Sequence, residues 1–173
     1  IIRYHRWPEK GKGTIGGYSY KSDYNKNVNV PAYSIDDHVY DYDLMPMSYT
    51  KSATQAQKEA VSLLMHDLGV MFQANYNYQT GTGAYAEDIQ KALFEHMGYS
   101  GKAYHLYRNA CSDAEFLKII KAEIDADRPI PYGGSDPQNG GHQFLCDGYD
   151  AKDYIHINWG WSGNNDGYFL LSV

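Results

Sequence analysis

Long apolar runs are missing from this sequence. No stretch approaches the ~20 residues that a membrane-spanning helix requires. Basic clusters are missing as well: 15 Lys and Arg stand against 21 Asp and Glu, and the formal charge is −6. Without a basic run or stripe, a nucleic-acid partner is not expected. Cysteine is scarce. Cys111 and Cys146 are the two in the chain, too few for a disulfide framework. HExxH, CxxC and P-loop patterns are absent, and no serine sits in a nucleophile elbow. The sequence therefore implies no metal and no cofactor. What it has in quantity is tyrosine, 18 residues, within a chain of 173 that is 43% hydrophobic and 21% charged. That balance describes a globular protein with a real core.

The ends suggest a piece of something longer. "IIRYHRWP" reads as the last turns of a helix entered from its middle, and "GYFLLSV" stops inside a strand pattern. Residues 1–173 are expected to be a single domain truncated at both ends. Between the ends, a glycine-rich loop leads into a tyrosine-rich region without clear period, through about Tyr49. "TKSATQAQKEAVSLLMHDLGV" predicts a helix capped by Thr54 or Ser52 and stopped by Gly69. Gln57, Val61, Leu64, Met65 and Leu68 are expected to form one face of it. A short strand is expected over 70–76, a second helix from about Tyr85 to Met97 with Gly98 as terminator, and a short strand over 102–108. Ser112 followed by Glu115 makes a capping box for a third helix, and Pro129 marks its end. Strands are then expected near 129–133, 142–148, 153–159 and 167–172. Helices first and an antiparallel sheet afterwards give an α+β class.

The chemistry-bearing stretch is "NGGHQFLCDGYDAKDYIHINWGW". If 142–147 and 153–158 form a hairpin symmetric about Asp150, His142 and Asn158 face each other with Cβ atoms ~5 Å apart. The Asn side-chain carbonyl then accepts a hydrogen bond from the imidazole Nδ1–H. This depends on the register, because a one-residue slip separates the two onto opposite faces. A base needs one ring nitrogen aimed at its nucleophile and the other held, and a neutral Asn suits a partner that is already a thiolate. Trp159 and Trp161 would roof that bond, and Gly140 and Gly141 would leave room for a substrate backbone. The plain alternative is an aromatic hairpin with two ordinary polar residues. "NNDG" at 164–167 reads as a hairpin turn, not as a calcium loop.

A nucleophile is harder to find. On one strand Cys146 would lie ~13 Å from His142, so it reads as a small buried apolar residue. Cys111, just ahead of the Ser112 cap, has the better local setting for a thiolate, although a cysteine beside a cap is usually structural. The nucleophile is expected upstream of Ile1.

Several segments together resemble the streptopain-like cysteine peptidases: "GGH-F--DG" at 140–148, "YIHINWGWSG--DGYF" at 154–169, "YHRWP" at 4–8, "IQKAL-E--GY" at 89–99 and "EIDADRPI-Y-G" at 123–133. The resemblance implies a papain-like fold and a secreted or cell-envelope cysteine endopeptidase acting on protein or peptide substrates. It implies His142 as general base, Asn158 as its orienter, Trp159 and Trp161 as the shield, and Gly141 against the substrate backbone. More loosely, it points to Gly83 and Ala84 as lining the cleft. It also implies that the catalytic cysteine and the oxyanion-hole glutamine precede Ile1, on the protein's own N-terminal fragment. A propeptide or protein inhibitor is a further expected partner. Two other readings stand beside it: a peptidase-like binding module without catalysis, and another Cys–His acyl-transfer enzyme such as a transglutaminase or amidase.

Overall fold

In the computed structural model the chain divides into two compact units, Ile2–His105 and the residues from 106 onward. Residues 1–48, 50–138 and 140–171 are described.

The first unit opens with a one-turn helix, α1 (Ile2–His5), followed by β1 (Thr14–Ile15), β2 (Tyr18–Lys21), β3 (Asn27–Val30) and β4 (Tyr33–Ser34). β1 pairs with β4 and β2 with β3, all antiparallel. The region read as irregular thus holds two small ladders. Tyr18 and Val30 face each other and pack on the core, while Ser19 Oγ donates outside to Asn29 Oδ1 at 2.8 Å. The alternation is real but too short to register as a period.

α2 (Gln55–Met71) starts at a capping box. Thr54 Oγ1 accepts from the Gln57 N–H at 3.2 Å, and Gln57 Oε1 accepts from the Thr54 N–H at 2.9 Å. The expected stop at Gly69 does not occur, and the helix runs on to Met71. Gly69 provides clearance instead: a Cβ there would lie 1.6 Å from Tyr76 Oη. The strand expected over 70–76 is accordingly a helix end and a turn, with Asn75 in an isolated bridge to Gly83. Of the predicted face, Leu64 is buried and Val61 and Leu68 pack against the core, but Met65 is 61% exposed. Asp67 turns inward in its place. Its Oδ2 accepts from His38 Nδ1–H and from the Tyr40 hydroxyl, each at 2.8 Å, and its Oδ1 lies 3.5 Å from His66 Nδ1. α3 (Ala86–His96) follows, with Gly98 just beyond its end. Ile2, Ile15, Ile35, Leu64, Val70 and Met97 are among the residues that fill this unit's core.

No strand forms over 102–108, where one was expected; a 3-10 turn follows at Arg108–Ala110, in the second unit. α4 (Asp113–Asp125) has the predicted box, with Ser112 and Glu115 bonded reciprocally. β5 (Ile130–Asp136), β6 (Gly140–Tyr149), β7 (Ile155–Asn158) and β8 (Gly167–Phe169) then form one antiparallel sheet in that order. Phe116 and Ile120 of α4 pack on Cys146, Ile155 and Ile157 of the sheet. Helices α2, α3 and α4 precede this sheet in the chain, as the α+β reading expects, although the two small ladders of β1–β4 come before them.

Candidate active site

The β6–β7 register corrects the sequence reading. Tyr149 pairs with Ile155 and Gly148 with His156, but then Cys146 pairs with Ile157 and Leu145 with Asn158. His142 is therefore not opposite Asn158. Asp147 is an extra residue without a cross-strand partner, a β-bulge. Beyond it the alternation is fixed by Cys146, which points inward with Ile157. Phe144 and His142 continue that face, whereas Asn158 shares the opposite face with Leu145. Among the described residues no hydrogen bond joins His142 to Asn158.

The imidazole is held by another group. His142 Nε2 lies 2.9 Å from the Trp159 carbonyl oxygen. A carbonyl only accepts, so Nε2 carries the proton and the neutral ring keeps its lone pair on Nδ1. This reverses the nitrogen expected from sequence. The ring is exposed and bordered by aromatics: Trp161 at 4.8 Å between centroids, Trp159 at 6.2 Å and Phe144 at 6.4 Å, with the two indoles stacked 5.7 Å apart.

Asn158 acts on the same peptide from the other side. Its Oδ1 accepts from the Gly160 N–H at 2.9 Å. That N–H and the Trp159 carbonyl belong to one planar trans peptide and point in opposite directions. Holding the N–H at Asn158 aims the carbonyl at His142. The Trp159 N–H is itself bound to Asp166 Oδ1 at 2.9 Å. Sequence reasoning missed the carbonyl, for which no side-chain signal exists. It also missed Asp166, whose place in the "NNDG" turn was a usable signal, since turn aspartates commonly accept from nearby backbone.

The other expected residues are placed as follows. Gly141 pairs with Ser135 on β5, and a Cβ there would make only an ordinary contact, 3.7 Å from Gly134 O. Gly83 and Ala84 belong to the first unit, on the loop between α2 and α3, where Gly83 exchanges two backbone hydrogen bonds with Asn75. Cys146 is fully buried, and that burial, with Asp147 adding to it, pushes its thiol up to about 12. Cys111 is half-buried against the second unit's core. Among the described residues, no group of three His, Cys, Asp or Glu side chains is arranged to hold a metal, and no helix is long and apolar enough to cross a membrane.

Comparison with known proteins places this geometry. The model of the Peptidase C10 family matches residues 1–169. Streptopain of Streptococcus pyogenes is 32% identical over 177 residues, covering 100% of this chain and 43% of streptopain. The thiol protease/hemagglutinin PrtT of Porphyromonas gingivalis is 29% identical over 174 residues, covering 100% of this chain and 19% of PrtT. Active interpain A cysteine protease of Prevotella intermedia superposes with a TM-score of 0.87 at 27% identity, covering 99% of this chain and 70% of that one. A prointerpain A fragment gives 0.86 at 28% identity. The chain thus spans less than half the length of the curated relatives it matches, and its fold is the papain-like one of interpain A. The chain belongs to the Peptidase C10 family.

Proposed function

We propose that the complete protein is a cysteine endopeptidase and that this chain supplies its base. The observation that carries the reading is the bond from His142 Nε2–H to the Trp159 carbonyl, which leaves Nδ1 as the reactive nitrogen on an exposed, tryptophan-bordered ring. A neutral carbonyl steadies the imidazolium without a carboxylate, which suits a thiolate partner. Neither cysteine in the chain fits the role: Cys146 is buried and held as the thiol, and Cys111 packs on a core. The nucleophile is assigned to an upstream segment of the same protein.

In the reaction, the thiolate adds to the scissile carbonyl carbon. The proton on Nδ1 passes to the leaving amine as the C–N bond breaks, giving an acyl-thioester. Water then attacks that carbonyl, Nδ1 takes its proton, and the thiolate departs to restore the ion pair. Asn158 fixes the ring through the 159–160 peptide, and Trp159 and Trp161 exclude water. Gly141 borders the substrate backbone; Gly83 and Ala84 are proposed, as a separate part of the reading, to contact substrate from the first unit. A pro-segment is proposed as the protein's own inhibitor, in keeping with the pro-form known for interpain A, and export from the cell with it.

The test is labelling of the active protein with a thiol-directed epoxide or vinyl sulfone, followed by mapping of the adduct. Modification of one upstream cysteine, lost in His142→Ala, is the expected result. Modification of Cys111 would overturn the assignment.

A further inference from the structure

Between the pairs Gly148–His156 and Cys146–Ile157, β6 spends one residue more than β7. That residue, Asp147, is not left loose. Its Oδ1 accepts from His156 Nδ1–H at 2.5 Å. Tyr168, opposite His156 on β8, sets its ring edge-on to the imidazole at 5.1 Å. On the other flank Gly148 makes room, since a Cβ there would sit 3.3 Å from His156 Cβ. One imidazole is thus fixed between three residues at the point where the ladder changes register.

The register change decides which way His142 faces. Continued from Gly148–His156 without an extra residue, the ladder would set Asp147 against Ile157 and Cys146 against Asn158. Every β6 side chain from 147 down to 142 would then exchange faces relative to β7. Asp147 would point into the apolar core, and His142 would leave the face that carries Trp159. The bulge therefore does two things: it keeps a carboxylate out of the core, and it delivers the imidazole to its carbonyl partner.

Resting on the reading of His142 as the base, we propose that Asp147 and His156 are a positioning pair. Their bond locks the bulge whose one-residue offset places His142 against the Trp159 carbonyl and the two indoles. Neither residue touches the reacting atoms. Their effect is to be seen in the turnover step and in the state of the His142 ring.

The test uses the full-length enzyme. Asp147→Ala and His156→Phe are each expected to lower kcat by about 10²-fold, the scale of a misplaced catalytic group, with KM little changed. Asp147→Asn, which keeps an oxygen acceptor, recovers most of the loss. In the ion pair both ring nitrogens carry protons, so nitrogen-15 NMR of His142 is expected to show a hydrogen-bonded, slowly exchanging Nε2–H in the wild type and a rapidly exchanging one in Asp147→Ala. Should Asp147→Ala fail to fold, His156→Gln against His156→Phe makes the same comparison, donor kept against donor lost. Wild-type kcat and an unchanged His142 spectrum in these variants, alongside an inactive His142→Ala, would overturn the pair's role and leave the base assignment standing. Full activity in His142→Ala would instead overturn the base assignment, and the positioning role with it.

Discussion

Two histidines, one in each unit, have opposite surroundings. His38 donates to Asp67, a fully buried carboxylate that also accepts from Tyr40 and lies beside His66. His142 is exposed, donates to a backbone carbonyl, and has indoles for neighbours. The His–Asp couple looks more like catalytic machinery, yet it is an interior knot. Asp67 and burial together push the Tyr40 and Tyr33 phenols upward, with burial the larger cause for both, so they remain hydrogen-bond donors. The knot ties the loop around residues 38–40 to α2. On the proposed reading of His142 as the base, the difference teaches that an accessible nitrogen with a fixed partner marks chemistry better than a charged partner does. Losing His142 should cost activity and not stability, and losing Asp67 the reverse.

The largest expected effect is that of His142→Ala. Peptide hydrolysis by the complete enzyme should fall by about 10³-fold, within the range usual for a general base, with the thermal midpoint unchanged. A large drop in midpoint would put His142 in the same class as Asp67 and break the comparison. Next comes Asp67→Ala, which orphans the His38 and Tyr40 donors. Removing one partner from a buried cluster of this kind costs about 3 kcal/mol or more. A thermal melt should register that loss, while turnover per folded molecule is retained. Lost turnover with an unchanged melt would make the knot part of the machinery.

Asn158→Ala sits between these. It removes the acceptor for the Gly160 N–H, so the 159–160 peptide is free to rotate away from His142. A loss in kcat smaller than the about 10²-fold of a misplaced catalytic group is expected, because β6 still holds the His142 ring on the indole face when its acceptor peptide is loosened. Asn158→Asp keeps an acceptor oxygen and should retain activity. If Asn158 bonded the ring directly, its removal would approach the His142→Ala effect.

How far the sequence carried this reading depends on the range of each signal. The box at Ser112–Glu115 is a local, four-residue device and was legible, whereas for α2 the sequence left Thr54 and Ser52 open and the structure chose Thr54 through its box with Gln57. The apolar run at 70–76 was not, because a short apolar stretch does not distinguish a helix end from a strand. Gly69 looked like a stop when its reason lies across space at Tyr76. His142, Trp159 and Trp161 were legible as a group and are found together. The bulge at Asp147 was not, since "HQFLCDGY" carries no mark of where one residue leaves the ladder. The expected His–Asn pairing failed first on the turn, because the ladder that starts at Tyr149–Ile155 and Gly148–His156 would set Asn158 against Cys146, four residues from His142, and the bulge then moved Asn158 to the opposite face. A backbone carbonyl, common to every residue, offers sequence nothing to recognise.

The smallest effect is a null one, and it reports on the register. Cys146 is on the inward face only because the bulge at Asp147 puts it opposite Ile157. Its thiol, usually near 9.0, is pushed up to about 12, chiefly by burial. The sign follows. The folded state holds this proton more tightly than the unfolded chain, so the thiol's contribution to stability is complete below pH 9 and is lost as pH rises from there toward 12. Iodoacetamide at pH 8 should therefore modify half-buried Cys111 and spare Cys146, and both should react in urea. His142 and Cys146 occupy alternate positions of one strand face, so a protected Cys146 places His142 on the indole side. Rapid alkylation of Cys146 in the folded chain would mean that β6 has slipped by one residue. That result would remove the geometry on which the difference between His142 and His38 depends.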